Sequence, residues 1–408
     1  MLLQQPRTRP LAVARVPPSG KAYRLLSFTI MIFVEEINDL AQLAPCRLLW
    51  KRLLGETPGG SFFHSLDWLE VYWRHYGMDQ RLRVLLVSSD RQPLGILPLT
   101  VQRETTRVGR LRVLTYPLHD WGTFYGPIGP NPTATLLAGL RHVAQTPRDW
   151  DLLELRWVDL LGHDRGRSET AMKLAGLPAS GQFWEQSPLV ELPHGWEEYW
   201  RSRDKKFRHN VERCGRRLAE QGEVSLLRYR PGGTLHGDDD PRWDLYDACT
   251  TLAQRSWQGS STDGTTLSHD GIRNFLRDAH LAAVRAGALD LSLLMLTGRP
   301  IAFVYGYRQG DRVYELRKGF DPAFAALRPG LVLQQLRLQD GCQRGDRCYD
   351  MGVGSLDVKR HWQTSLAANF RLTHFPALIA RAQVLRLKRW WKKKSLPMND
   401  RLHEAICQ

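Results

Sequence analysis

The sequence contains no apolar run long enough to cross a membrane. Residues 25–34 are apolar except for one Ser and one Thr, whereas a spanning helix needs about 20 apolar residues. A secretory signal would add a cleavage site of small residues, and Glu35-Glu36-Ile37-Asn38 provides none. We therefore predict that this run is a first β-strand.

Paired cysteines are also absent. The six cysteines lie at positions 46, 214, 249, 342, 348 and 407. They form no C-x-x-C pair, and no histidine stands beside them at metal-ligand spacing. This pattern argues against a structural zinc site and favours a reduced, cytoplasmic setting. We predict no metal site.

Acidic residues are missing from two basic segments, one at the start of the chain and one close to its end. The net charge is +15, and residues 1–30 carry five basic residues while residues 381–394 carry seven, with no acid in either segment. Most of the excess positive charge therefore belongs to these two segments, so it is poor evidence for a nucleic-acid-binding body. We predict that residues 1–30 are a disordered extension.

The clearest structural pattern lies in residues 299–362. Residues 301–307 and 312–320 are rich in β-forming side chains and flank Gln309-Gly310-Asp311, which predicts a hairpin. After a loop with Arg328-Pro329-Gly330, leucines recur at the spacing of a buried helix, and a short strand over 347–351 follows. The stretch is therefore a βαβ unit, and the free N–H groups at the start of its helix suit a phosphate.

An earlier part of the chain has the same order of elements. Strands predicted over residues 82–87, 94–101 and 111–116 precede a Gly/Pro-rich loop, a helix over 133–145 and a strand over 151–158. This repetition favours two copies of one βα unit over two unrelated domains. Residues 126–132 of the first loop include three prolines, which have no N–H to donate to a phosphate.

Three other segments have distinctive compositions. Residues 196–221 are predicted to form a basic helix whose cations either face solvent or meet the phosphates of coenzyme A or of a carrier. Residues 258–266 are rich in Gly, Ser and Thr and either cover a substrate site or simply connect two helices. Residues 62–76 have aromatic side chains at helical spacing, and we assign those rings to the core.

The order of several short motifs carries a family resemblance. They are G-R-P-I-A from Gly298, Y-E-L-R-K-G-F-D-P from Tyr314, R-P-G-L-V-L from Arg328, Y-D-M-G-V-G from Tyr349 and V-K-R-H-W from Val358. In this order they resemble the acetyltransferase-like module of the GNAT superfamily found in CelD-type proteins of bacterial polysaccharide synthesis. They resemble the Fem-type aminoacyl transferases more distantly. The resemblance covers residues 205–376.

The resemblance implies an α/β fold of two tandem GNAT-like (acyl-CoA N-acyltransferase) domains, with mixed twisted sheets flanked by helices. A chain of 408 residues, 42% of them hydrophobic, is long enough for two such cores. We predict a degenerate N-terminal GNAT-like domain over residues 31–192 and a C-terminal acyltransferase domain over residues 193–378. A basic, Trp-containing tail would occupy residues 379–408.

The resemblance also implies a coenzyme A thioester as the acyl donor. Acyl transfer then needs a phosphate cradle, a polariser of the thioester carbonyl, a base and an acid. Backbone N–H groups of three residues would hold the pyrophosphate beside the charge of Arg328: Gly330, Leu331 and Val332.

The candidate catalytic groups lie on the strands around that helix. Asp350 is our first choice for the base or acceptor-binding carboxylate, and Glu315 is the second. Either carboxylate could equally pair with Arg317, which we expect on the same strand face as Glu315, or with Lys359. Tyr314 or Tyr349 is a candidate acid for the leaving thiolate, although either could equally be a packing residue.

We therefore predict an acyltransferase of polysaccharide or envelope-glycan biosynthesis. It would take an acyl group from acetyl-CoA or another acyl-CoA, a co-substrate rather than a tightly bound cofactor, to an amine or hydroxyl of a sugar or glycan precursor. Two alternatives stay open: a Fem-like transferase that uses aminoacyl-tRNA, and a non-catalytic scaffold, which the single glycine of the 328–331 loop favours. The protein would be cytoplasmic, and its tail would either contact an anionic membrane or be unstructured.

Overall fold

The computed structural model describes residues 31–90, 92–261 and 264–394. The predicted disordered segment, the first part of the predicted strand over 25–34 and the last residues of the basic tail lie outside the described residues. The part before residue 192 forms these elements: β1 (Ile32–Ile37), α1 (Arg47–Gly55), α2 (Leu66–Tyr76), β2 (Arg81–Ser89), β3 (Gln92–Thr106), β4 (Gly109–Thr115), α3 (Pro132–Gln145), β5 (Leu152–Val158), α4 (Arg167–Leu174) and β6 (Ser180–Glu191).

The later part of the chain continues with further strands and helices. They are α5 (Trp196–Ser202), α6 (Lys205–Ala219), β7 (Val224–Tyr229), α7 (Trp243–Arg255), α8 (Arg273–Arg285), β8 (Leu289–Leu296), β9 (Arg299–Gln309), β10 (Arg312–Phe320), α9 (Pro329–Gln343), β11 (Cys348–Asp350), α10 (Leu356–Lys359), β12 (Ser365–His374) and α11 (Ala380–Lys394).

The strands form one mixed sheet in the order β1-β2-β3-β4-β5-β12-β6-β11-β10-β9-β8-β7. The two halves of the chain exchange strands at its centre. β12, from the second half, pairs with β5 of the first half, and β6, from the first half, pairs with β11 of the second. The domain boundaries predicted from the sequence stay a prediction, because strands pair across them.

The connectivity repeats in the two halves. Antiparallel β2, β3 and β4 lead into α3 and then into β5, which is parallel to β4. Antiparallel β8, β9 and β10 lead into α9 and then into β11, which is parallel to β10. This repetition confirms the predicted α/β fold of two tandem units.

The predicted hairpin and the helix after it are present. β9 and β10 pair in antiparallel register, and Gly310 in their turn has the positive φ, 58°, that glycine adopts readily. The Asp321 side chain accepts a hydrogen bond from the Ala323 N–H at 3.1 Å and so starts the next turn. α9 then begins at Pro329, two residues before the predicted leucine pattern.

The structure adds detail to the sequence pattern in two places. The basic segment over residues 196–221 is two helices, because the Asp204 carboxylate accepts from the Phe207 N–H at 2.8 Å and caps a new helix. Residues 365–374, to which the sequence pattern assigned no element, form β12 at the centre of the sheet.

The halves pack through aromatic side chains. Phe62 and Phe63, from the first half, lie with ring centroids 4.6 and 5.5 Å from Tyr307 on β9. Both phenylalanines and most of the apolar side chains of α2 are buried, which confirms the core assignment of the aromatic segment. Contacts group the described residues from Ile32 onward into one compact unit. Within the described residues, no helix has both the length and the apolar character required to span a bilayer.

Candidate active site

One large cavity lies where the two halves of the chain meet, and its volume is about 970 Å³. The second half supplies the later part of β10, the start of α9, the end of β11 and α10. The first half supplies residues 120–123 and two tryptophans. The cavity brings together these predicted site residues: Tyr314, Glu315, Arg328, Gly330, Leu331 and Asp350.

A gap between β10 and β11 forms the middle of the cavity. β11 pairs with β10 through only three residue pairs, which end at Tyr314 and Asp350. Beyond them β10 stays paired with β9 on one side, while no described strand pairs with its other edge, which lines the cavity. This edge therefore presents backbone groups that could polarise the carbonyl of a bound thioester.

A bulge in β10 changes which side chains share a face. Glu315 pairs with Gly306, and Arg317 pairs with the adjacent Tyr305. Neighbouring residues of a strand point to opposite faces, so Glu315 and Arg317 do not share a face, and that expectation was wrong. Arg317 Nε donates to the Thr265 carbonyl at 2.6 Å instead.

The turn into α9 forms one end of the cavity. Arg328 is exposed and has a left-handed backbone with φ 52°. The Leu331 N–H donates to the Arg328 carbonyl at 3.0 Å, and Val332 is buried in the core. Gly330 is open, because a Cβ built there would meet only Phe320 Cδ1, at 3.9 Å. Of the three predicted pyrophosphate donors, the Gly330 N–H has the clearest access.

Glu315 is a buried carboxylate held by positive charge. Its Oε1 accepts from Gln334 Nε2 and Arg337 Nη1, both at 2.7 Å, and its Oε2 lies 3.5 Å from Lys318 Nζ. Burial alone would raise the pKa of Glu315, but the charges of Lys318 and Arg337, with the hydrogen bond from Gln334, bring it below its usual value. Held in this way, Glu315 is a weak base and a source of fixed negative charge.

Asp350 joins the two halves of the chain. Its Oδ1 accepts from the Ser187 hydroxyl on β6 and from the Gly352 N–H at 2.9 Å, and its Oδ2 accepts from the Thr123 hydroxyl. These donors occupy lone pairs that a base would use. The contacts suit an orienting role, and the role of Asp350 as a base stays a prediction.

Tyr314 lines the cavity, but its hydroxyl is directed at the first half of the chain. The oxygen lies 3.4 and 3.3 Å from the carbonyls of Gly59 and Gly60. Burial raises the pKa of Tyr314. The predicted role as an acid for the leaving thiolate stays a prediction, and it would require this hydroxyl to leave its present partners.

Lys359 is the residue whose importance the sequence did not reveal, since it was expected only as an ion-pair partner. It is buried, it lines the cavity, and its Nζ donates to the carbonyls of Gly352 and Val353 at 2.7 and 2.9 Å. Burial, followed by repulsion from Lys318, lowers the pKa of Lys359 to about 8 despite two nearby carboxylates. An amine with such a pKa can accept and return a proton near neutral pH.

The first half of the chain supplies an aromatic and acidic wall that was not predicted. Trp121 and Trp157 are buried, and Trp184 meets Trp157 edge to face, with ring centroids 6.2 Å apart. The carboxylates of Asp120 and Glu185 are exposed beside them. Partial burial and the charge of Asp120 raise the pKa of Glu185. Aromatic faces beside carboxylates suit a ring that carries polar or cationic groups.

The polar segment before α8 borders the cavity through Trp257, Thr265 and Thr266. The buried Gln258 holds it against β10. Its Nε2 donates to the Lys318 carbonyl and its Oε1 accepts from the Leu267 N–H, both at 3.1 Å. The described residues at the two ends of the segment are therefore held at the edge of the site.

In the first half, the loop before α3 corresponds to the turn into α9, and hydrogen bonds close it. Ile128, in the loop after β4, exchanges two backbone hydrogen bonds of 2.8 Å with Ile96 on β3, and the Gly129 N–H donates to the Thr57 hydroxyl at 2.8 Å. The cavity beside this loop has a volume of about 60 Å³. The N–H groups of Ile128 and Gly129 are thus used within the protein.

Across the described ranges, no group of three or more His, Cys, Asp or Glu side chains is arranged to hold a metal ion.

Residues 205–360 match the family model described as an acetyltransferase (GNAT) domain. The match runs from α6 to the end of α10 and includes most of the cavity residues of the second half. This part of the chain is therefore similar to GNAT acetyltransferase domains. No curated protein is significantly similar to the chain, and the finer resemblance to CelD-type proteins stays a prediction.

Solved structures extend the similarity to both halves. The crystal structure of FemX aligns with a TM-score of 0.56 and 12% identity, covering 83% of this chain and 96% of that one. The structure of L-PGS from Bacillus licheniformis aligns with a TM-score of 0.52 and 12% identity, covering 87% of this chain and 98% of that one. At such low identity these similarities concern the fold.

Proposed function

We propose that this protein transfers an acyl group from acetyl-CoA or another acyl-CoA to an amine or hydroxyl of a sugar or glycan precursor. The observation that carries the proposal is the open edge of β10, which connects the start of α9 with Lys359 and with the aromatic wall of the first half. The match to a GNAT domain over residues 205–360 supports the same class of reaction.

The donor would enter along the gap between β10 and β11. Its pyrophosphate would meet the Gly330 N–H and the Arg328 guanidinium, where a helix N-terminus and a cation both favour negative charge. Its pantetheine arm would lie along the edge of β10 after Glu315, and backbone N–H groups there would polarise the thioester carbonyl.

Lys359 would act first as the base for the acceptor and then as the acid for the leaving thiolate. In the neutral amine, two N–H groups donate to the Gly352 and Val353 carbonyls, and a lone pair is left. The lone pair takes the proton of the acceptor as the new C–N or C–O bond forms and the C–S bond breaks. The thiolate leaves with the electron pair of that bond and receives the proton from the Lys359 ammonium, which restores the amine.

The first half of the chain would bind the acceptor. Trp184 and Trp157 offer faces and edges to a sugar ring, and Asp120 and Glu185 offer acceptors to its hydroxyl or amino groups. If the second half binds the donor and the first half binds the acceptor, the first half has a use in the cavity although its own loop is closed to phosphate.

Two measurements test the proposal. Isothermal titration with acetyl-CoA should show saturable binding at one site per chain, because the place in the first half is closed. Release of free thiol from a panel of acyl-CoAs should then depend on an added amino sugar or sugar acceptor. Failure of acetyl-CoA to bind would overturn the proposal and favour a non-catalytic scaffold.

A Fem-like transferase using aminoacyl-tRNA is the second candidate. α6 buries Phe207, Val211, Cys214 and Leu218 and exposes basic residues on its other face. One of these, Arg217, donates to the Ala326 carbonyl at 3.4 Å, close to Arg328 at the cavity. A phosphate chain could follow this face to the site. Competition between uncharged tRNA and acetyl-CoA tests this candidate. Displacement of acetyl-CoA by tRNA that weakens as the salt concentration is raised would favour the tRNA-dependent transferase over the acyl-CoA-dependent one.

We also propose a cytoplasmic location with peripheral contact to the inner face of the membrane. The described residues include no spanning helix, and α11 carries basic residues without an acid. Fractionation of cells that produce the full chain, with and without a salt wash, tests this location.

A further inference from the structure

α11 is a helix with two different faces. One face is docked, since Ala382 and Leu385 are buried against side chains of β4 and β5. Arg389 strengthens the docking through an ion pair of 2.5 Å between its Nη1 and Oε2 of the buried Glu154. α11 is therefore part of the folded body, and its orientation on that body is set.

The opposite face of α11 is apolar and exposed. Val384, Leu387 and Trp391 follow one another at three- and four-residue spacing, so they lie on one side of the helix. Their exposed fractions are 45%, 58% and 69%. A soluble helix usually presents polar residues on the side away from its core, so this stripe requires a partner or a special environment.

Basic residues surround the apolar stripe. Arg381, Arg386 and Lys388 are exposed on the same helix, and the helix has no acidic residue. Lys388 Nζ donates to the Arg107 carbonyl at 3.0 Å, which brings the turn between β3 and β4 next to α11. At its turn the hairpin exposes one further cation, Arg107. Arg103 and Arg110 lie on the other face of the sheet, because they alternate with Glu104 and with Leu111, which packs against α11. The hairpin's one acid, Glu104, is already paired with Arg156 at 2.6 Å.

We propose that α11 and the β3–β4 hairpin form a docking surface for an anionic phospholipid bilayer. Tryptophan and leucine enter the boundary between headgroups and acyl chains, while flanking arginine and lysine meet the phosphates. Charge complementarity favours this occupant over a second copy of the chain, because two identical basic surfaces would repel each other. The tail thus contributes an ordered, two-faced helix instead of an unstructured basic segment.

The surface also fixes which side of the protein faces the lipid. Because Arg389 and Leu385 hold α11 on β4 and β5, the bilayer would lie beside the half of the sheet formed by the first half of the chain. A membrane-bound acceptor could then reach the aromatic wall of the cavity without release of the protein. This consequence rests on the proposed function, whereas the docking surface itself does not.

Sedimentation of the full chain with vesicles tests the surface. Vesicles of equal parts phosphatidylglycerol and phosphatidylcholine should bind the protein, pure phosphatidylcholine vesicles should bind it much less, and salt should weaken the binding. The double variant Leu387→Glu/Trp391→Glu should reduce binding at least tenfold. Arg386→Glu and Arg107→Glu should each reduce it roughly fivefold or more, because each basic residue near an anionic surface contributes about that factor.

Matched variants on α1 control for charge and exposure. Leu48 is 83% exposed and Lys51 is exposed on the same helix, so Leu48→Glu and Lys51→Glu make the same chemical changes away from the proposed surface. Both should bind vesicles as the unchanged protein does. The proposal is overturned if anionic vesicles do not bind the protein, or if the α1 variants lose as much binding as the α11 variants.

Sedimentation velocity tests whether a second copy of the chain, instead of lipid, covers the apolar stripe. A monomer is expected at all protein concentrations used. A dimer that Leu387→Glu/Trp391→Glu converts to monomer would show that a second copy covers the stripe, and would overturn the lipid proposal. Because neither assay uses an acyl donor or an acceptor, their outcome is independent of whether the protein transfers acyl groups.

Discussion

The hydroxyl of Thr123 donates a hydrogen bond to the carboxylate of Asp350, which lies 227 residues later in the chain. Thr123 follows β4 in the first half, and Asp350 ends β11 in the second. The Ser187 hydroxyl, on the exchanged strand β6, donates to the same carboxylate. The geometry of the cavity therefore depends on contacts between the halves, although the matched GNAT domain lies within one of them.

Replacing Thr123 by Val should weaken both the fold and the site. The substitution keeps the shape but removes one donor from a buried carboxylate, which should lower the free energy of unfolding by about 1–3 kcal/mol. Turnover should fall as well, because Asp350 helps to fix the end of β11. Urea denaturation and thiol release measure the two effects. Thr250→Val is the control, since that exposed hydroxyl donates only to the Asp247 carbonyl.

The sequence was informative where local patterns decide the structure. The spacing of apolar residues and the Gly310 turn predicted the β9–β10 hairpin, α9 and the repeat in the first half, because hairpins and helices depend on neighbours in sequence. The same information led to Asp350 and Gly330 as cavity residues, through the rule that ligands bind at strand ends and helix starts.

The features that escaped prediction depend on partners distant in sequence. β12 lies between β5 and β6, and no local pattern specifies such an exchange. The role proposed for Lys359 depends on its burial and on Lys318 nearby, neither of which its motif reveals. Arg317 lies on the opposite strand face from the one predicted, because a bulge interrupts the alternation of side chains. Such an inserted residue has no strong sequence signal.

The ion pair between Glu315 and Arg337 should be far more important for stability than an exposed pair on the same helix. Both side chains are buried, and Arg337 Nη1 lies 2.7 Å from Glu315 Oε1. Arg337→Met should leave a buried carboxylate without its main partner and cost about 3–5 kcal/mol. Arg344→Met removes a more exposed pair with Asp340 and should cost less than about 1 kcal/mol. Urea denaturation measures both free energies of unfolding. Equal losses of stability in the two variants would contradict the conclusion that the buried pair is the more important one.

Gly330→Asp should weaken donor binding while leaving the fold intact. The cavity has room for a side chain at Gly330, and an acid in the first turn of a helix is favourable for the helix. A carboxylate beside the pyrophosphate would repel it, and acetyl-CoA affinity should fall roughly tenfold or more. Titration calorimetry measures the affinity, and thermal unfolding checks the fold. Gly330→Ala is the matched control and should bind acetyl-CoA nearly as well as the unchanged protein.

The pH dependence of acyl transfer should follow the ionisation of Lys359. Its amine must be neutral to accept a proton, and its pKa is lowered to about 8. Activity should therefore rise with pH and level off above about 8, when measured as kcat/KM, which reports groups of the free enzyme. Lys359→Met should reduce the rate by about a hundredfold or more and remove this rise.

Lys318 provides the sharper test, because its charge is one cause of the lowered pKa of Lys359. Lys318→Met removes the repulsion, so the pKa of Lys359 should increase and the rise in kcat/KM should move to higher pH. Lys318→Arg keeps the charge and should leave the profile in place. The acceptor has the same ionisation with all three proteins. A shift of the pH profile in Lys318→Met alone would therefore come from a group of the enzyme and not from the acceptor. Identical profiles for Lys318→Met and the unchanged protein would exclude Lys359 as the proton acceptor.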